Sequence, residues 1–128
     1  MKFNKINFLS HLVDSYVKLG KQNGFTNNLD HTQVTHKCND AKIDFGRWIL
    51  LQHLVTIGTE GMRSEHHTSH SKGGILAYLA TEIERRKKQL NSDDEAYMDA
   101  YQLPTEDAIR IGAIKALEEL KSYILTQK

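Results

Sequence analysis

The sequence predicts an all-α protein: four main helices packed as a bundle, with a short helix before the last. Three observations carry this reading. Pro104 is the only proline, so long stretches are free of the residue that breaks helices. Apolar residues recur at three- and four-residue spacing over most of the chain. Runs of alternating β-branched residues, which mark half-buried strands, are missing. A length of 128 residues suits a single helical domain over 1–128 with one core.

The first helix is expected from about Asn4 to Leu19, where Ile6, Leu9, Leu12, Val13, Tyr16 and Leu19 form an apolar stripe. "GKQNGFTNN" then reads as a loop, from its two glycines and three asparagines. A second helix follows Asn28 or Asp30, either of which can cap it. His31, Val34, Cys38, Ala41, Phe45 and Trp48 step by 3, 4, 3, 4, 3, a sustained seam that faces inward in a bundle. Asn39, Asp40 and Gly46 are weak points along it. The stretch "ILLQHLVTIG" is apolar nearly all round, which predicts burial, and the chain turns at "GTEG". A third helical region begins with "SEHHTSH" and continues through "ILAYLATEIERRKKQL", where Ile75, Leu76, Leu79, Ile83 and Leu90 share a face. Gly73 and Gly74 are candidates to break it in two, each costing about 1 kcal/mol relative to alanine. "SDDE" at Ser92–Glu95 is a capping box for a short helix with Tyr97, Met98 and Tyr101. "LPTED" opens the final helix, with Pro104 and two acids in its first turn and Ile109, Ala113, Ala116, Leu120 and Tyr123 as its stripe.

Composition excludes several classes. Seventeen basic and sixteen acidic residues leave a formal charge of +1, so no nucleic acid and no anionic membrane is expected as the main partner. The run "ERRKKQL" reads as a solvated helix end that complements the dipole. One cysteine, Cys38, rules out an internal disulfide and suits a reducing compartment. The first twenty residues lack the apolar core and cleavage site of a signal peptide, and a cytoplasmic location is expected. No phosphate-binding glycine motif or nucleophile elbow occurs, and residues two apart on a helix, such as His36 and Cys38, face nearly opposite ways. The chain is not expected to be an enzyme.

Seven histidines are the chemical feature. His66 and His70 are four apart, and a helix sets such residues roughly 5–6 Å apart at Cβ, so both can reach one ion. They read either as metal ligands or as solvated polar residues. His36 and Asp40 have the same spacing and the same two readings. His31 and Cys38 lie on the inward seam and read as core. His53, in an apolar stretch, reads as a packing residue with a polar partner.

"IDFGRW" at Ile43–Trp48 resembles the core motif of chemoreceptor zinc-binding (CZB) domains, small helical bundles usually attached to bacterial chemoreceptors or diguanylate cyclases. The family's order is a histidine on the first helix, then Cys-x-hydrophobic-Gly-x-Trp, then HxxxH, which together supply three histidines and one cysteine to zinc. Here the order is His11, "IDFGRW" and "HHTSH", and the resemblance spans roughly residues 5 to 80. Ile43 occupies the cysteine position, and Asp14 stands where an aromatic usually follows the first histidine. The resemblance implies a zinc site made by His66, His70 and His11, with His36, Asp40 or water as the fourth ligand, in a sensory or regulatory domain. The rival expectation is a metal-free helical adaptor or inhibitor that acts through protein–protein contacts. Either way a protein partner is expected, with a homodimer among the arrangements allowed.

Overall fold

The computed structural model describes residues 4–26, 38–62, 72–90 and 105–126. They form four helices: α1 (Lys5–Asn23), α2 (Asn39–Gly61), α3 (Lys72–Lys87) and α4 (Thr105–Thr126). No strand occurs among the described residues, and the all-α reading holds. The expected short helix at Ser92–Tyr101 lies outside them.

Helix α1 starts at Asn4, whose side-chain oxygen accepts hydrogen bonds from the N–H groups of Ile6 at 2.8 Å and Asn7 at 3.2 Å. It runs one turn beyond the expected end at Leu19. Gly20, expected to open a loop, is instead a buried helical residue beside the indole of Trp48, where an added Cβ would sit 2.9 Å from Nε1. Only glycine fits that approach without a shift. The helix stops at Gly24, in the left-handed region with φ 71°. The Phe25 N–H then bonds the Gly20 carbonyl at 2.9 Å, and Phe25 tucks under the end against Phe45 and Trp48.

The inward face of α1 also differs from the expected stripe. Phe8 and Leu12 are fully buried, whereas Ile6 and Val13 are exposed. The heaviest apolar residue of the helix sets the rotation: once Phe8 is inside, Leu12, Ser15 and Leu19 follow it at four and three residues, and Ile6 and Val13 rotate out.

Within the described residues, α2 begins at Asn39, and the caps expected at Asn28 and Asp30 lie outside them. Cys38 is exposed and its carbonyl accepts the first helical bond, from Lys42 N–H at 3.1 Å. His31 and Val34 of the expected seam lie outside the described residues, and the expected place of Cys38 in the core is corrected: it is exposed. Further on the expectation holds, with Phe45, Trp48, Leu50, Leu51 and Leu54 all buried. The turn at "GTEG" is a kink at Gly58, which has φ 61°. Gly73 and Gly74 do not split α3; they fall in its first turn, so their weak helix propensity sits where the helix starts. Ile75, Leu79 and Ile83 are buried as expected.

Helices α2 and α4 form the centre, with α1 packed on α2 and α3 on α4. The centre is held by two glycines. A Cβ on Gly46 would strike the Ile109 backbone, 2.7 Å from its Cα, and a Cβ on Gly112 would lie 2.9 Å from the carbonyl carbon of Ile43 and 2.9 Å from the Arg47 nitrogen. Each helix thus places a glycine against the other's backbone, which draws Ala108, Ile111 and Ala113 of α4 into the core. Consequently α4 is buried over more of its circumference than its expected stripe, with Ile111, Ile114, Leu117 and Ile124 also inside.

Candidate functional site

Of the expected ligands, His11 and Asp40 belong to the described residues, and His36, His66 and His70 lie outside them. His11 is half-buried, one turn from Phe8 and from Ser15. Its ring stacks on Tyr123 of α4, with centroids 3.8 Å apart and planes 1° from parallel. Burial lowers its pKa below the usual imidazole value, and the nearby Asp14 carboxylate opposes that shift in part. His11 is therefore held as the neutral imidazole near pH 7, the form that can coordinate a metal. The rotation about Phe8 carries His11 to the α1–α4 seam.

Asp40 is exposed in the first turn of α2. Ile43, one turn on, is 4% exposed and packs with Ala108 and Ile111. Its carbonyl faces Gly112, eleven residues before the Tyr123 that holds His11. Eleven helical residues span about 16 Å. The structure thus does not bring His11 together with Ile43 or Asp40, and no group of three metal-ligating side chains occurs among the described residues.

What surrounds His11 instead is a groove of about 240 Å³ between α1, α2 and α4, lined by polar side chains together with Leu19, Leu51, Ala116 and Leu120. His11, Ser15, Lys18 and Gln22, on one ridge of α1, form one wall, and Arg47 and Glu119 face them. Arg47 ties α2 to α4, with one terminal nitrogen 2.9 Å from Asp44 and the other 2.7 Å from Glu119. Glu119 is well exposed, so the bridge fixes geometry more than it adds stability. The groove presents the Lys18 and Arg47 cations, the Gln22 amide, the Glu119 carboxylate and the His11 imidazole, groups that can hydrogen-bond a polar partner.

The opposite flank of α1 is apolar. Ile6, Val13 and Val17 are 68%, 41% and 42% exposed. Seven- and eleven-residue steps place all three within about 40° of one another on the helix. The stripe runs into an open cleft of about 490 Å³, lined by Tyr16, Val17, Gly20, Lys21, Phe25 and Trp48 among others. Sequence periodicity placed Ile6 and Val13 in the core because it counts apolar positions without knowing which ones a neighbour covers. His53 is also corrected: it is exposed on α2, not packed.

No helix among the described residues is long and apolar enough to cross a membrane. No family model, curated protein or solved structure matches the chain.

Proposed function

We propose that this chain is a small helical-bundle regulatory module that acts by contact with a protein, with the outer flank of α1 receiving an amphipathic helix of acidic character. The observation that carries the reading is the aligned, solvent-facing row of Ile6, Val13 and Val17. A helix laid alongside would fill that row with anchors one and two turns apart, the usual pattern of helix recognition. Charge selects the partner: Lys21 borders the cleft that continues the row, where a carboxylate on the partner helix would meet it.

Trp48, the only tryptophan, lines that cleft and supplies the assay. A designed helical peptide with leucines on one face and glutamates beside them should change its fluorescence saturably. The same peptide with lysines for glutamates should bind at least tenfold more weakly. Val13→Asp and Val17→Asp should abolish binding and leave the melting curve unchanged. Equal binding by both peptides, or binding indifferent to both substitutions, overturns the reading. A concentration-dependent dimer that Val13→Asp dissolves would replace the partner helix with a second copy of this chain.

A second reading is favoured by one specific observation, the imidazole of His11 stacked on Tyr123 at a helix seam. In it, the module is zinc-responsive, with His66 and His70 as a pair and His11 as third ligand. The described residues do not complete that site, so it stands on the histidine segment between α2 and α3. Protein purified without a histidine tag should then take up one zinc per chain, lost in both His66→Ala and His70→Ala. Chelation should lower the melting temperature of the zinc-loaded protein. A zinc-exposed protein that holds no metal, with a melting curve indifferent to chelator, removes this reading and leaves the first untouched.

A further inference from the structure

On the side of the bundle away from α1, three helices converge on a second cleft, of about 290 Å³. Each contributes a basic side chain: His53 from α2, Arg86 from α3 and Arg110 from α4. Between them the lining is apolar, formed by Leu50, Ile109 and Ala113 beside the α2–α4 crossing.

The charges of the arginines are only loosely answered. The nearest carboxylate to Arg86 Nε is that of Glu82 at 3.4 Å, and Glu82 is already engaged by Arg85. That Nε is buried and has no hydrogen-bond acceptor. Arg110 meets Asp107 at 3.4 Å, a long contact for a charged pair. Neither acid lines the cleft. The two guanidinium groups thus reach the cleft with weakly held charge, which a carboxylate there would answer.

We propose that this cleft is a binding site for a small organic carboxylate with an apolar body. The carboxylate would sit among Arg86, Arg110 and His53 and accept from the guanidinium N–H groups that line the cleft. A ring or branched chain would rest on Leu50, Ile109 and Ala113. A guanidinium presents parallel donors that match the two oxygens of a carboxylate. The apolar lining selects against inorganic anions, which gain nothing from it and lose hydration by entering. The site is independent of the α1 flank, and binding at one does not require the other.

The test uses the full chain, isotope-labelled for NMR, titrated separately with benzoate, benzyl alcohol and inorganic phosphate. Benzoate should produce saturable shifts confined to the backbone of Gly46, Ala113 and their neighbours and to the Arg86 side chain. Benzyl alcohol, of the same shape without the charge, should bind at least tenfold more weakly, as should phosphate. Arg86→Gln should weaken benzoate tenfold or more. His53→Gln, at an exposed position that does not threaten the fold, should weaken it several-fold with the melting temperature unchanged. Equal binding of benzyl alcohol would make the cleft an apolar pocket and overturn the anion assignment. Equal binding of phosphate would make it a general cationic surface, with the same result. Shifts scattered over the molecule, or benzoate binding untouched in both variants, would remove the site altogether.

Discussion

Replacing Gly112 with alanine probes the contact on which the bundle is built. The new Cβ would meet the Ile43 carbonyl oxygen, with the carbonyl carbon and the Arg47 nitrogen each 2.9 Å away. Carbon atoms rest at roughly 3.5–4 Å, so the helices must part by about 1 Å. None of the three atoms is the end of a side chain that can swing aside; all belong to the α2 backbone, so the whole helix must move. Overpacking of this kind costs about 3 kcal/mol at the upper end of its usual range, because nothing yields locally. Alanine recovers about 1 kcal/mol through its better helix propensity. The net expectation is a loss of about 2 kcal/mol, or roughly 6–10 °C in melting temperature for a chain of this size. Gly73→Ala is the internal control, since its Cβ would meet nothing within 4 Å. It should stabilise the protein by about 0.5–1 kcal/mol. Thermal and urea melts followed by circular dichroism measure both. If Gly112→Ala melts at or above the wild type, the crossing is not glycine-tight and the account of the α2–α4 core is wrong.

Trp48→Ala should cost about 3–5 kcal/mol, since the indole is 4% exposed and packs with Tyr16, Phe25 and Phe45; a near-neutral urea midpoint would contradict its place in the core. Asn4→Ala should cost about 1 kcal/mol by removing the acceptor that caps α1, and Asn4→Asp should restore most of it. Burial lowers the His11 pKa in the folded state, so the unfolded chain binds the proton more readily and stability rises with pH across that interval. The wild type should therefore lose stability as pH falls from about 6.5 toward the lower folded value, and His11→Gln should flatten that part of the profile; an unchanged slope refutes it. Ile43→Cys introduces the cysteine of the CZB motif that the sequence resembles, yet it should not raise zinc affinity, because Ile43 and His11 meet α4 at Gly112 and Tyr123, about 16 Å apart along that helix. Zinc titration of wild type and variant, read by metal content, decides this.

Helix type was legible in the sequence because it depends on local spacing. The three- and four-residue steps of Phe45 and Trp48, of Ile75, Leu79 and Ile83, and of Ala113, Ala116 and Leu120 are all present in the buried set. The kink at Gly58 was equally readable, since a left-handed φ is a property of one residue. What the sequence could not settle was which side of each helix meets which neighbour. For α1, Ile6 and Val13 are as apolar as Leu12, and only the seating of Phe8 decides which of them is covered. Gly20, Gly46 and Gly112 carry no periodic signal, yet they set the distances between helices; in isolation each reads as a breaker, and in the bundle each is a point of contact. The candidate sites follow the same division. A histidine pair four residues apart is a local pattern that any reader of the sequence can find. The meeting of His53, Arg86 and Arg110 joins residues from three helices, as does the separation of His11 from Ile43. Neither has a one-dimensional trace, because both are consequences of how close two glycines let α2 and α4 approach.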